Sequence, residues 1–302
     1  MFKKELTLIT LAAFLISCNS GNSGSNNIKQ PSRQLNIQNG IPAEDPEING
    51  MVPLILIGDS ALCTGTVISP NTILTAAHCV LNMRRKPHGV KYQSMDIIPP
   101  VQIKVVFNQN LYRPVHLNDD NPQLEWYSVK NVYVHNEAFL GVSVLKNGSL
   151  QINDLMNVND LAILKLEQEL DKIRHPAARL ASELPKINSK ILITGYGVDN
   201  GSEVEVSDPF RGEAGVLRYA AAKVAAYESK YLFIGGIPDP VLGYTRICSG
   251  DSGGPDLMHI RSGGYQIVGV HSFGTGKECG APRSLGASVS ISDYLEWVNS
   301  FI

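Results

Sequence analysis

The stretch Gly250-Asp251-Ser252-Gly253-Gly254-Pro255 stands near the C-terminal end of the chain. Glycines on both sides of Ser252 allow a tight backbone, in which the N–H groups of Gly250 and Ser252 can face an oxygen that gains negative charge. A serine hydroxyl alone is a poor nucleophile and needs a base beside it. Two upstream stretches offer partners. Thr75-Ala76-Ala77-His78-Cys79 follows an apolar run, and His78 can accept the hydroxyl proton and later return it. Asn159-Asp160-Leu161-Ala162-Ile163-Leu164 opens another apolar run, where a buried Asp160 carboxylate can fix the imidazole tautomer. A lone histidine is usually structural, and an aspartate before an apolar run is often only a strand-end residue. The six-residue serine motif, together with the order His, Asp, Ser, is far more specific.

The surrounding sequence favours a β-rich body. Of 302 residues, 43% are hydrophobic and 18% charged, and 27 glycines with 17 prolines point to many turns between short elements. Strand signals fall at Leu54–Ile57, Thr66–Ser69, Val101–Phe107, Asn131–His135, Leu161–Leu166, Ile191–Thr194 and Gln266–Val270. Many short strands imply sandwiches or barrels. One helix is expected, at the C-terminus, capped by Ser292 or Asp293 and carrying Ile291, Leu295, Val298 and Ile302 at helical spacing. The 26 basic and 28 acidic side chains give a net charge of -2, which offers nucleic acid no electrostatic footprint. Arg84-Arg85-Lys86 reads as a solvated loop, in the long segment between the His and Asp motifs.

The N-terminus reads as an export signal: Lys3 and Lys4, the apolar run Leu6 to Ile16, then Ser17 and Cys18. That run is too short to cross a bilayer. Leu15-Ile16-Ser17-Cys18 resembles a bacterial lipobox, which implies a lipid on Cys18; an ordinary signal peptide is the alternative. The Gly-, Ser- and Asn-rich segment that follows has the composition of a flexible tether. Setting Cys18 aside leaves Cys63, Cys79, Cys248 and Cys279, an even set in an exported chain with three possible pairings.

The three motifs, in their order, resemble the chymotrypsin-like serine protease family and its trypsin branch, from Ile37 to Ile302. The resemblance implies an all-β fold of two antiparallel six-stranded barrels and a C-terminal helix, with His78 and Asp160 from the first barrel and Ser252 from the second. It divides the chain into a signal peptide (1–17), a lipidated tether (18–36) and a peptidase domain (37–302). Within that domain the barrels run over about 37–170 and 185–291, and the helix over 292–302. It implies disulfides Cys63 with Cys79 and Cys248 with Cys279, and an oxyanion hole made by the N–H groups of Gly250 and Ser252. Ile37-Gln38-Asn39-Gly40 resembles the family's mature N-terminus, whose freed amine would pair with Asp251. Gly195-Tyr196-Gly197 and Ser272-Phe273-Gly274 resemble two further family elements, the second binding substrate backbone. The activity implied is peptide-bond hydrolysis through an acyl-enzyme, with no metal or organic cofactor. The partners implied are a protein or peptide substrate and an activating protease. A monomer is expected, reaching a membrane only through the lipid on Cys18. The alternative is an inactive lipoprotein that uses the fold as a binding module.

Two positions depart from the family. At the base of the specificity pocket, where trypsins carry Asp, stands Arg246, between walls assigned to Gly274 and Gly286. A guanidinium floor predicts preference for Asp, Glu or a polar residue; alternatively Arg246 points to solvent or pairs locally, as with Glu278. Asn36 precedes Ile37 where many relatives carry a basic residue, so activation calls for an unusual protease or for cleavage after Arg33 and trimming. Either cut would also sever the chain from its anchor.

Overall fold

The computed structural model describes residues 37, 40–58, 61–83, 95–108, 122, 124–136, 138, 142–144, 150–152, 159–197, 214–239, 243–275 and 284–302. The expectations for the N-terminal segment with Cys18 and Asn36, for Arg84-Arg85-Lys86, and for Glu278 and Cys279 lie outside those residues. In chain order the first strands are β1 (Ile41–Pro42), β2 (Leu54–Ile57), β3 (Ala61–Thr64), β4 (Thr66–Ser69), β5 (Thr72–Thr75), β6 (Leu81–Met83) and β7 (Met95–Ile97). Next come β8 (Ile103–Asn108), β9 (Leu124–Val134), β10 (Val142–Val144), β11 (Leu150–Ile152) and β12 (Ala162–Leu166). The remainder are β13 (Arg179–Leu180), β14 (Lys190–Gly195), β15 (Arg218–Glu228), β16 (Tyr231–Gly236), β17 (Pro238–Asp239), β18 (Gly243–Tyr244), β19 (Pro255–His259), β20 (Tyr265–Gly274) and β21 (Gly286–Ser290).

Two large sheets carry the architecture. The first runs β3-β2-β8-β9-β12-β5-β4, and its two edge strands are consecutive in the chain, separated only by Gly65. The sheet must therefore curl until its edges meet in one bent segment. A side chain at Gly65 would put its Cβ 2.6 Å from Ile73 Cγ2 and 2.9 Å from Ile55 Cδ1, so the bend needs glycine. The second sheet closes: β15-β14-β19-β20-β21-β16 is a ring because β16 pairs back to β15, with β1 and β13 at its margins. The expected all-β class is observed, as a closed six-stranded barrel and a curled sheet.

Burial follows the two-residue period of the strands. Ile55 and Ile57 of β2 join Val67, Ile73, Val105, Phe107 and Leu164 inside the curled sheet. Leu54 and Leu56 face the other way, into a shared core with Leu161, Tyr196, Leu257, Val270 and Tyr294. Both faces of β2 are thus covered, which is why all four of its residues are apolar and buried. The closed barrel has its own filling of Ile191, Ile193, Ala220, Ala222, Val224, Leu232 and Val268.

Several elements differ from the sequence expectation: β9 begins at Leu124, β20 runs on to Gly274, and β15 has no strand signal. Pro99 and Pro100 shape a 3-10 turn, Pro100–Gln102, which delays β8 to Ile103. A short helix, α1 (Pro46–Met51), is added; the Asp45 carboxylate accepts the Glu47 N–H at 2.9 Å and Pro46 opens the first turn. The C-terminal helix is shorter than 292–302: a 3-10 turn, Ser292–Tyr294, precedes α2 (Leu295–Asn299). Neither Ser292 nor Asp293 caps it, because both lie within the 3-10 turn and Tyr294 stands at the N-cap position without a side-chain cap bond; Ser292 Oγ meets Ser290 Oγ at 3.0 Å, and Tyr294 turns inward to bond Asn159. Val298 is buried as expected, whereas Ile302 is 60% exposed.

Candidate active site

Strand β5 ends at Thr75, and the 3-10 turn Ala77–Cys79 that follows lifts His78 off the sheet. Asp160 stands just before β12, the strand paired to β5 with Ala162 opposite Thr75, so ladder register brings the two side chains together. The Asp160 carboxylate is 2% exposed and takes three donors. Oδ1 accepts the His78 backbone N–H at 2.9 Å, and Oδ2 accepts His78 Nδ1–H at 2.7 Å and the Ser272 hydroxyl at 2.5 Å. A carboxylate only accepts, so Nδ1 carries the proton and Nε2 presents a lone pair. Burial pushes the His78 pKa down, but the charge and hydrogen bond of Asp160 outweigh it and hold the imidazole above its ordinary value. For Asp160 burial pushes up, and His78 with the Ser272 bond pulls the carboxyl below the usual range.

The serine loop comes from the closed barrel and is pressed against the histidine turn. Gly250 (φ +95) and Gly253 (φ +80) adopt left-handed backbone, and a Cβ on Gly253 would lie 2.1 Å from Thr75 Oγ1 and 2.9 Å from Ala76 N. Thr64 at the end of β3 fastens the loop: its N–H donates to Ser252 O at 2.8 Å and its hydroxyl to Gly250 O at 2.9 Å. Cys79 Sγ lies 3.7 Å from Ser252 O, a packing contact, since the sulfur is bonded to Cys63 and has no proton. Gly254 N–H closes a turn onto Asp251 O at 2.9 Å. Among the described residues the N–H groups of Gly250 and Ser252 meet no acceptor, and they belong to the backbone next to the Ser252 side chain.

The structure places the other anticipated residues as follows. The Cys63–Cys79 disulfide is formed and closes a loop of sequence separation 16, a constraint of about 3 kcal/mol on the unfolded chain. Cys248 is also disulfide-bonded, and its anticipated partner Cys279 is outside the described residues. Ile37 is fully buried, packed with Ile191, Ile193 and Ala220 in the closed barrel. Asp251, also fully buried, accepts the N–H groups of Gly197 at 2.9 Å and Cys248 at 2.7 Å, and burial pushes its carboxyl up to about 6. Gly274 and Gly286 face each other across β20 and β21, and a Cβ on Gly274 would meet nothing within 4 Å. Phe273 packs on Tyr231 with ring centroids 5.2 Å apart. Arg246 is buried and turned onto Ser284, donating to its carbonyl and, at 2.6 Å, to its hydroxyl; the guanidinium sits 5.3 Å from the Tyr244 ring centroid. It is therefore paired locally and does not point to solvent. Its Nε has no partner among the described residues.

Sequence reasoning did not find the buried pair His271 and Asp256, or the fastening role of Thr64. The only signal was a polar residue in an otherwise apolar strand. One trio of ligand-type atoms among the described residues, Cys63, His78 and Cys79, falls within 4.8 Å. Both sulfurs are spent in the disulfide, so the trio offers no thiolate to a metal.

Chemically, the site joins a proton acceptor held in one tautomer, a serine on a tight glycine-flanked loop, and backbone donors beside it. A family profile described as Trypsin matches residues 37–125 and 129–298. The chain is 28% identical over 255 residues to the CLIP domain-containing serine protease B15 of Anopheles gambiae, covering 79% of this chain and 60% of that protein. It is 27% identical over 246 residues to the proclotting enzyme of Tachypleus tridentatus, covering 79% and 58%. It is 26% identical over 277 residues to snake venom serine protease 3 of Protobothrops flavoviridis, covering 87% and 86%. The chain thus spans about three fifths of the first two relatives and most of the third. With the match running from Ile37 through the His, Asp and Ser motifs to Val298, the chain belongs to the trypsin family.

Proposed function

We propose that the protein is a serine endopeptidase, made as a zymogen and activated by cleavage before Ile37. The observation that carries the reading is the 2.7 Å bond from His78 Nδ1 to Asp160, set against the Ser252 loop. Ser252 Oγ attacks the peptide carbonyl while His78 Nε2 takes its proton. The imidazolium so formed is stabilised by Asp160 and delivers the proton to the leaving amine, and water activated by His78 then hydrolyses the acyl-enzyme. The N–H groups of Gly250 and Ser252 bind the oxyanion in both steps. Substrate backbone pairs along Ser272-Phe273-Gly274.

Activation follows from charge. Asp251 is buried, burial raises its carboxyl despite its backbone donors and the charges of His271 and Arg218, and among the described residues no cation forms an ion pair with it directly. A freed Ile37 ammonium beside it would supply the missing cation and order the loop. The same cut would separate the peptidase from Cys18, where the lipobox resemblance places a lipid, so activation and release from the cell envelope would be one event. Export agrees with the Cys63–Cys79 disulfide, since such bonds persist in oxidising compartments.

Specificity rests on Arg246. Among the described residues it meets a carbonyl, a hydroxyl and an aromatic ring, none of which pairs its charge as a carboxylate can. An Asp or Glu side chain entering between Gly274 and Gly286 would do so. A positional peptide library incubated with the mature protein should show cleavage after Asp or Glu, and Arg246→Ser should reduce that preference about 10- to 100-fold, the loss of one charge-assisted contact. Cleavage chiefly after Lys or Arg would refute the acidic assignment.

A further inference from the structure

Behind the serine loop, inside the closed barrel, lies a buried acid and base that the mechanism does not use. His271 of β20 and Asp256 of β19 are fully enclosed. His271 Nε2 is 3.0 Å from Asp256 Oδ1, and Nδ1 is 3.2 Å from the carbonyl oxygen of Asp251. The main chain joins the same contact: Gly253 N–H donates to His271 O at 2.8 Å, and His271 N–H to Gly254 O at 2.9 Å. The niche is shaped for the carboxylate, since a Cβ on Gly269 would lie 2.5 Å from Asp256 Oδ2 and 3.0 Å from Ser288 Cβ. Ser288 stands opposite His271 across β21.

With Asp256 ionised, hydrogen-bond chemistry makes His271 an imidazolium. A carbonyl oxygen accepts only, so Nδ1 must carry a proton; a carboxylate accepts only, so Nε2 must carry one too. Asp256 Oδ2 has no partner among the described residues, so the buried carboxylate depends on His271 for its compensation. The charged groups facing the imidazolium are Asp256 from β19 and Asp251 from the serine loop, with Arg218 of β15 acting on Asp251. Burial pushes the His271 pKa down, and these two carboxylates outweigh it and raise it.

The contact matters because of what lies across the peptide bond. The Asp251 carbonyl belongs to the same planar trans peptide as the Ser252 N–H, and the two groups point to opposite sides. We propose that His271 is a positioning residue for the oxyanion hole: a buried imidazolium, anchored by Asp256, that holds the Asp251 carbonyl from behind and thereby aims and polarises the Ser252 N–H. A cationic donor on the carbonyl strengthens the N–H at the far end of the same peptide, as in any chain of hydrogen bonds in low dielectric. His271 touches neither substrate nor reacting atoms.

This inference rests on the peptidase reading. The test compares the mature wild-type protein with His271→Gln and with the near-isosteric Asp256→Asn, each normalised by active-site titration. Losing a whole oxyanion donor costs about 100- to 1000-fold in turnover, so mis-aiming one should lower kcat about 10-fold with KM unchanged. Binding of a peptide aldehyde, which forms the oxyanion, should weaken by the same factor, while binding of a product peptide should not change. In the wild-type, nitrogen NMR of labelled histidine should show both His271 ring nitrogens protonated at pH 7. A neutral His271, or aldehyde binding and kcat within twofold of wild-type in both variants, would overturn the proposal while leaving the peptidase reading intact. A wild-type protein that hydrolyses no peptide and titrates no active site would overturn both.

Discussion

Ser252→Ala should leave peptide hydrolysis about 10⁶-fold below the parent rate, the loss that follows removal of the nucleophile from a Ser-His-Asp set. The fall should lie in kcat. The substrate pairing proposed along Ser272-Phe273-Gly274 does not use the Ser252 side chain, and the fastening of the loop by Thr64 uses backbone oxygens of Gly250 and Ser252, which the substitution keeps. His78→Ala should cost about as much, and the double variant little more, because the two groups act as a unit. Initial-rate kinetics on a cleaved peptide check this. A Ser252→Ala protein with more than a hundredth of the parent rate would place the nucleophile elsewhere.

Asp160→Asn should cost about 10⁴-fold, the size of effect this change has in triads of the same design. All three groups around the Asp160 carboxylate are donors: the His78 N–H, His78 Nδ1–H and the Ser272 hydroxyl. An amide turns an NH₂ toward one of them. The repulsion is relieved when His78 moves its proton to Nε2, the tautomer that cannot act as base. The pH profile should move as well. His78 must be neutral to accept a proton, so parent activity falls as pH drops through its raised pKa, above the ordinary 6.5. With the carboxylate gone, burial alone acts on the imidazole and lowers that pKa. The acid limb of kcat/KM should therefore shift to lower pH while the maximum falls, and an acid limb that stays in place would show that Asp160 does not set the His78 charge.

How much of this was legible depended on whether chemistry or packing determined the residue. His78, Asp160 and Ser252 could be read because each sits in a short motif whose neighbours are dictated locally. Gly253, for example, must be glycine where its Cβ would strike Thr75 and Ala76. Strands such as β2 and β12 were legible from their apolar runs, and Pro99-Pro100 moved only the start of β8. Strand β15 was not. Its Arg218–Glu228 run is rich in alanine, a helix former, and only the ladder to β14 and β16 reveals that Ala220, Ala222 and Val224 alternate into the barrel. Contacts between residues far apart in sequence were the hardest to read. Arg246 faces Ser284 because β21 and its approach fold back over it, and spacing does not encode that orientation. His271 and Asp256 read as isolated polar residues until β19 and β20 lie side by side.

In the proposed enzyme, Ser252 is an activated nucleophile in a chain that begins at Ile37. A fluorophosphonate reacts with such a serine and with little else. The protein collected from producing cells and their medium, treated with this reagent and examined by mass spectrometry and N-terminal sequencing, should carry one adduct, on Ser252, in molecules whose first residue is Ile37. Molecules that retain residues before Ile37 should remain unmodified. Absence of an adduct on Ser252 in the chain that begins at Ile37 would contradict the account.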